Sequence, residues 1–172
     1  MGLTIEVAHI VRKPPNPPAF PGSQLEAAWY EQRWGLLGRI CEQFGWRRVP
    51  WAEPGERAEP GRASFGRGRY HDLLRRAALE ARFPHLTSRQ DDGYLALYLP
   101  VALPAPVVID AGSGFHSWGR ITIGSSVQLG SELERLIPSL NESWAGVADI
   151  AATIGAYCAE SQALNLPMWV EW

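Results

Sequence analysis

The chain has 172 residues, of which 46% are hydrophobic and 20% are charged, and its formal net charge is −2. This composition is typical of a globular protein and excludes a disordered chain, which would have fewer apolar residues and more net charge. The longest apolar stretches are far shorter than the roughly 20 residues of a membrane-spanning helix. The first residues also lack the basic and apolar regions of a secretory signal. We therefore expect one domain over residues 1–172, located in the cytoplasm and without a membrane partner.

The first half of the chain predicts one strand and two helices. Residues 3–11 alternate between apolar and polar side chains, which indicates a half-buried strand. After a proline-rich connection, apolar residues at helical spacing predict a helix over residues 24–45. Residues 46–63 contain several prolines and glycines and predict a long exposed loop, and loops of this length often carry function. Ser64 is predicted to be the N-cap of a second helix that ends near Phe83.

The second half predicts a series of strands and two further helices. Apolar runs between turn residues indicate short strands at 94–99, 107–109 and 120–123. A helix is predicted to begin at Ser125 or Ser126, and a last helix to extend from a cap at Ser143 to about Asn165. Residues 168–172 alternate as a terminal strand. Because strands and helices do not alternate strictly, we predict an α+β domain with a mixed or antiparallel sheet packed against about four helices.

The segment with the strongest resemblance to a catalytic site contains Asp110, Ser113 and His116. An acid, a serine and a histidine in a glycine-rich turn allow a small hydrolase as an alternative function. However, Gly112 and Gly114 flank Ser113 directly, whereas a nucleophile elbow requires Gly-x-Ser-x-Gly on a strand-to-helix turn. The four histidines share no short metal-ligand spacing. We therefore expect no catalytic, cofactor-binding or metal site, and a flexible loop at 110–116.

The aromatic and arginine content indicates a protein partner instead. The chain has eight Trp, five Tyr and five Phe, and Trp, Tyr and Arg dominate the energetic centres of protein interfaces. Trp29, Trp34 and Trp144 are expected to lie in the core. The predicted partner-binding residues lie in the predicted loops: Trp46, Trp51, Arg57, Arg62, Asp91, Asp92, Phe115, His116 and Trp118. The arginine-rich segment 57–76 leaves nucleic-acid binding open as a further alternative, but we expect no nucleic-acid partner because such binding requires a dense basic face.

Four stretches of the chain resemble, in order, a family of uncharacterised bacterial proteins that are similar to immunity proteins of polymorphic toxin systems. They are the strand 2–7, residues 64–65 leading into 70–76, residues 93–94 leading into 99–101, and residues 124–126 with the apolar positions up to 140. The chain departs from the family in its proline-rich connection and in residues 104–118, where partner-specific surfaces could lie.

The resemblance implies an immunity protein, or antitoxin, that binds one cognate secreted toxin domain. Such a protein occludes the toxin's active site or target-binding surface and needs no catalytic residue of its own. It is expected to be a monomer alone and to form a 1:1 complex with the toxin. An immunity protein that reverses a toxin's covalent modification is the enzymatic alternative.

Overall fold

The computed structural model contains a mixed six-stranded sheet with helices on both faces, which confirms the predicted α+β class. It describes residues 2–11, 24–53, 62–80, 82–87, 95–112, 119–140 and 142–171. The strands are β1 (Gly2–Val7), β2 (Arg62–Gly66), β3 (Leu95–Leu99), β4 (Val107–Asp110), β5 (Arg120–Ser125) and β6 (Met168–Glu171). The α-helices are α1 (Gln24–Phe44), α2 (Arg67–Glu80), α3 (Pro84–Thr87), α4 (Ser126–Leu136) and α5 (Ala145–Leu164). None of these helices is both long enough and apolar enough to cross a membrane.

The strands lie in the order β2-β1-β6-β3-β5-β4. Only β3 and β5 run parallel to each other, and the other neighbouring pairs are antiparallel. The chain leaves β3, forms the edge strand β4 and returns through β5, so the carboxyl ends of β3 and β5 lie side by side. Helix α4 begins directly after β5.

Two hydrophobic cores lie on opposite faces of the sheet. On one face, Leu3, Ile5 and Val7 of β1 pack with residues of α2, α4 and α5. On the other face, Leu36 and Ile40 of α1 pack against β3, β4 and β5. Because successive strand residues point to opposite faces, β3 contributes to both cores, and all five of its residues are buried. The second core is covered by α1 and by the segment that follows it.

The structure corrects the predicted starts of two helices. Ser64 is not an N-cap but lies in the middle of β2, opposite Thr4 of β1. β1 has a free side at this position, and pairing with it satisfies the backbone groups of residues 62–66, so α2 begins only at Arg67. Ser143 is not the cap of the last helix, because Trp144 occupies that position without a capping side-chain hydrogen bond. By contrast, Ser125 caps α4 as expected.

Candidate partner-binding surface

The first half of α1 carries a group of aromatic and arginine side chains. The rings of Trp29 and Tyr30 meet edge to face, with their centroids 5.0 Å apart. The guanidinium carbon of Arg33 lies 4.9 Å from the Trp29 ring centroid and 4.6 Å from that of Trp169 on β6. Beside them, Trp34 exposes 50% of its surface. We call Trp29, Tyr30, Arg33 and Trp34 the α1 patch.

The helical spacing explains why Arg33 points towards the sheet and Trp34 does not. Arg33 precedes the buried residues Leu36 and Ile40 by three and seven positions, so it lies on the same side of the helix. Its flat guanidinium lies over both indole rings, a contact that arginine favours. Trp34 lies outside the side of the helix that carries Leu36 and Ile40, and it faces water. The expectation that Trp34 belongs to the core is therefore wrong. The spacing relative to Leu36 and Ile40 was the signal that could have identified it.

A second aromatic group follows the end of α1. The ring of Phe44 stacks on that of Trp46 at 4.6 Å, and Trp46 meets Trp51 edge to face at 5.9 Å. Trp46 is half-buried, which leaves part of its ring available to a partner. Trp51 is only 5% exposed and belongs to the second core. The prediction that Trp51 is an exposed contact is wrong, because the chain folds back here and the Ala52 N–H donates to the Asn165 carbonyl at 2.9 Å.

The remaining predicted contact residues are only partly covered by the structure. Arg62 is exposed at the start of the edge strand β2, where it stands opposite Glu6 of β1. The other predicted contacts lie outside the described residues, and their roles stay predictions. These are Arg57, Asp91, Asp92, Phe115, His116 and Trp118.

A buried carboxylate holds the segment that carries Trp51. The Glu53 side chain is only 2% exposed and accepts hydrogen bonds from the backbone N–H groups of Ile10 and Val11. Nδ1 of His9 lies 3.6 Å from Glu53 Oε2. Burial raises the pKa of Glu53 to about 7, although the two amides and the neighbouring Trp51 indole favour the ionised form. The indole N–H itself makes no hydrogen bond of normal geometry. Glu53 therefore joins the chain after β1 to the chain after α1.

A second buried polar group lies at the carboxyl ends of β3 and β5. His85 Nδ1 accepts a hydrogen bond from the Ser125 N–H at 3.1 Å, so the proton is on Nε2, which donates to the Leu103 carbonyl at 3.2 Å. The carboxylate of Glu132 accepts hydrogen bonds from the N–H groups of His85 and Leu86 at 3.0 and 2.8 Å. Burial lowers the pKa of His85 and raises that of Glu132. In parallel sheets this position often holds a ligand, but here these side chains fill it.

The glycine-rich segment connects the antiparallel strands β4 and β5. Asp110 and Arg120 are partners in the antiparallel pair of β4 and β5, and the Ala111 N–H donates to the Gly119 carbonyl at 2.6 Å. The exposed carboxylate of Asp110 accepts a hydrogen bond from the Gly112 N–H at 2.7 Å. The described ends of this segment thus belong to two antiparallel strands, whereas a nucleophile elbow joins a strand to a helix. Ser113 and His116 lie outside the described residues, so the hydrolase alternative stays a prediction.

Among the residues that the structure describes, no three His, Cys, Asp or Glu side chains are grouped so that they could hold a metal ion. Comparison of the chain with family models, with curated proteins and with solved structures finds no match. The assignment of a function therefore depends on the residues of this chain and their arrangement.

Proposed function

We propose that this chain is an immunity protein that binds one cognate toxin domain and neutralises it by covering its active site or target-binding surface. The observation that carries this proposal is the α1 patch, in which a half-exposed Trp34 stands beside an arginine whose guanidinium lies over two indole rings. Trp, Tyr and Arg are the residue types that contribute most to binding at protein interfaces. The resemblance of four stretches of the sequence to immunity-like proteins supports a toxin as the partner.

The α1 patch is suited to tight binding because it is already ordered. Arg33 is positioned by Trp29 and Trp169 before any partner arrives, so little side-chain freedom remains to be lost on association. The exposed Trp34 ring offers a large apolar area whose removal from water favours the complex.

The contact surface extends along α1 beyond the α1 patch. A helix of 21 residues is about 30 Å long, which is long enough for one side of a standard interface of roughly 800 Å² per partner. Trp46 lies just beyond the far end of α1 and is followed by the exposed Arg47 and Arg48. Both ends of α1 therefore present tryptophan together with arginine side chains.

The first test is affinity capture of the tagged chain, co-expressed in the cytoplasm with the genes that flank its own. The expected result is one co-purified polypeptide in 1:1 ratio that kills cells when it is expressed alone. A chain that elutes alone and monodisperse would contradict the proposal.

The second test measures the affinity of the captured complex. Trp34→Ala should weaken binding at least tenfold without lowering Tm, because a central Trp is typical of the residues whose loss costs most. The matched control is Leu79→Ala, which removes a 77% exposed apolar side chain from α2 on the other face of the sheet. If the two variants bound with equal affinity, the α1 patch would not be part of the interface.

A further inference from the structure

A cleft of about 270 Å³ lies where α2 ends, α3 begins and α4 ends. These helices pack on the sheet face opposite to α1, so the cleft is separate from the α1 patch. Its lining residues are Glu80, Arg82, Phe83, Arg135 and Ser139. The guanidinium of Arg76 adjoins the same group, with Nη2 3.3 Å from the Ser139 carbonyl oxygen. Two arginines, Arg82 and Arg135, thus line the cleft, and Arg76 adjoins it through Ser139 and Glu80.

The positive charge of this cleft exceeds its negative charge. The carboxylate of Glu80 is shared, with Oε1 3.6 Å from Arg76 Nη2 and Oε2 3.4 Å from Arg82 Nη2. Among the side chains that line or adjoin the cleft, three guanidinium groups and one carboxylate leave two positive charges. The Glu132 carboxyl is also near Arg135, but it is bound by the backbone N–H groups of His85 and Leu86. The Nε–H of Arg76 is buried and has no hydrogen-bond partner. Glu80 therefore occupies only part of the hydrogen-bonding capacity that the arginines offer.

The arginines are held in place by contacts of their own. The guanidinium carbon of Arg135 lies 5.3 Å from the ring centroid of Phe83, and its Nη2 is 3.5 Å from the Arg82 carbonyl oxygen. Its Nε–H also donates to the Ser131 carbonyl at 3.3 Å. Arg82 is 74% exposed in its side chain and can turn towards an incoming group. One side of the cleft is thus fixed and the other is adjustable.

We propose that this cleft binds a phosphate group, either as inorganic phosphate or as part of a small phosphate ester. The planar guanidinium fork matches the oxygens of phosphate in paired hydrogen bonds. A phosphate dianion balances the two excess positive charges, whereas a single further carboxylate would leave one of them unbalanced. Glu80 is the internal competitor that the phosphate displaces from Arg82.

The proposal is tested by calorimetric titration of the intact chain with sodium phosphate at pH 7.5, with sodium chloride at the same ionic strength as reference. The wild type should show saturable 1:1 binding of phosphate that chloride does not reproduce. Arg82→Gln and Arg135→Gln should weaken it at least tenfold, and Glu80→Gln should strengthen it several-fold because the competitor is removed. The matched control is Arg75→Gln, which changes an exposed arginine of α2 outside the cleft and should bind as the wild type does.

Two results would overturn the proposal: heat from phosphate equal to that from chloride, or unchanged binding in Arg82→Gln. Because Arg82 is largely exposed, this variant is expected to fold normally, and its circular dichroism and Tm confirm that before the titration. Phenyl phosphate serves as the ester probe. Tighter binding of phenyl phosphate identifies an ester as the ligand, and tighter binding of phosphate identifies the free ion. Toxin binding does not enter this experiment, so its outcome is independent of the function proposed above.

Discussion

Gly124 lies opposite Tyr98 in the parallel register of β5 and β3, and the tyrosine ring occupies the space beside it. A Cβ atom at Gly124 would stand 2.6 Å from Cδ1 and Cε1 of Tyr98. The ring cannot simply move away, because it is fully buried and its hydroxyl donates to the His85 carbonyl at 2.9 Å. The contact joins the only parallel strand pair of the described sheet to the short helix α3.

Gly124→Ala is therefore expected to lower the free energy of unfolding by about 3 kcal/mol, the upper part of the usual range for an overpacked core. Urea denaturation measures this change. The control is Gly155→Ala on α5, where a Cβ would have no atom within 4 Å. That variant should gain up to about 1 kcal/mol from better helix propensity. A Gly124→Ala protein as stable as the wild type would show that the sheet can relax around Tyr98.

Trp34 was expected in the core and Trp51 at the surface, but the structure shows the reverse. Alanine should therefore destabilise the protein strongly at Trp51 and hardly at all at Trp34. Trp51→Ala should cost about 3–5 kcal/mol because it empties a core position. Trp34→Ala should change stability by no more than about 0.5 kcal/mol, because half of the ring is already in water. Thermal and urea unfolding of both variants measure this. Comparable destabilisation by the two substitutions would contradict the burial pattern.

The Glu53 carboxyl makes stability depend on pH. Its pKa is raised from 4.5 to about 7, so the folded protein binds the proton more tightly than the unfolded chain does. The contribution of this protonated carboxyl to the free energy of unfolding is therefore complete below pH 4.5. It is lost as the pH rises to about 7, and the loss is at most about 3 kcal/mol. Wild type and Glu53→Gln are compared by urea unfolding at pH 5 and pH 7.5. The wild type should lose more stability than the variant over this interval, and parallel profiles would contradict the prediction. The pKa of Glu132 is also raised, but Glu132 is present in both proteins and cancels in the comparison.

His85 should act in the opposite direction. Burial holds its pKa below the ordinary value of 6.5, so the unfolded chain takes up the proton first. The contribution of neutral His85 to the free energy of unfolding is therefore complete above pH 6.5. It decreases as the pH falls through the pKa that His85 has in the folded protein. His85→Gln should be less stable than the wild type at pH 7.5, because it cannot reproduce both hydrogen bonds, and this difference should become smaller towards pH 5. A constant difference across that range would mean that His85 does not titrate differently in the folded and unfolded states.

Most local elements were predictable from the sequence, although β2 and α3 were not. The apolar spacing of α1 predicted its start at Gln24 and its end within one residue of Phe44. Ser125 was predicted as one of two possible N-caps of α4, and its side chain accepts the Gln128 N–H. These features depend on residues within a few positions of one another, so a sequence pattern contains them. The candidate site was predicted less well, because Trp34 was expected in the core although its spacing relative to Leu36 and Ile40 puts it outside the buried side of α1.

The sequence by itself determined most of the secondary structure, although not β2 or α3, together with the α+β class and the presence of many aromatic and arginine side chains. The tertiary structure alone decided which of those side chains meet and which remain exposed. Residues 62–66 became a strand because β1 offered a free side to pair with, and Glu53 became buried because the N–H groups of Ile10 and Val11 donate hydrogen bonds to its carboxylate. Pairing between strands about 60 residues apart and burial of a carboxylate both depend on partners that are distant in the chain. The spacing of apolar residues along the sequence does not indicate which distant residues become partners. Only the folded arrangement of the whole sheet identifies them.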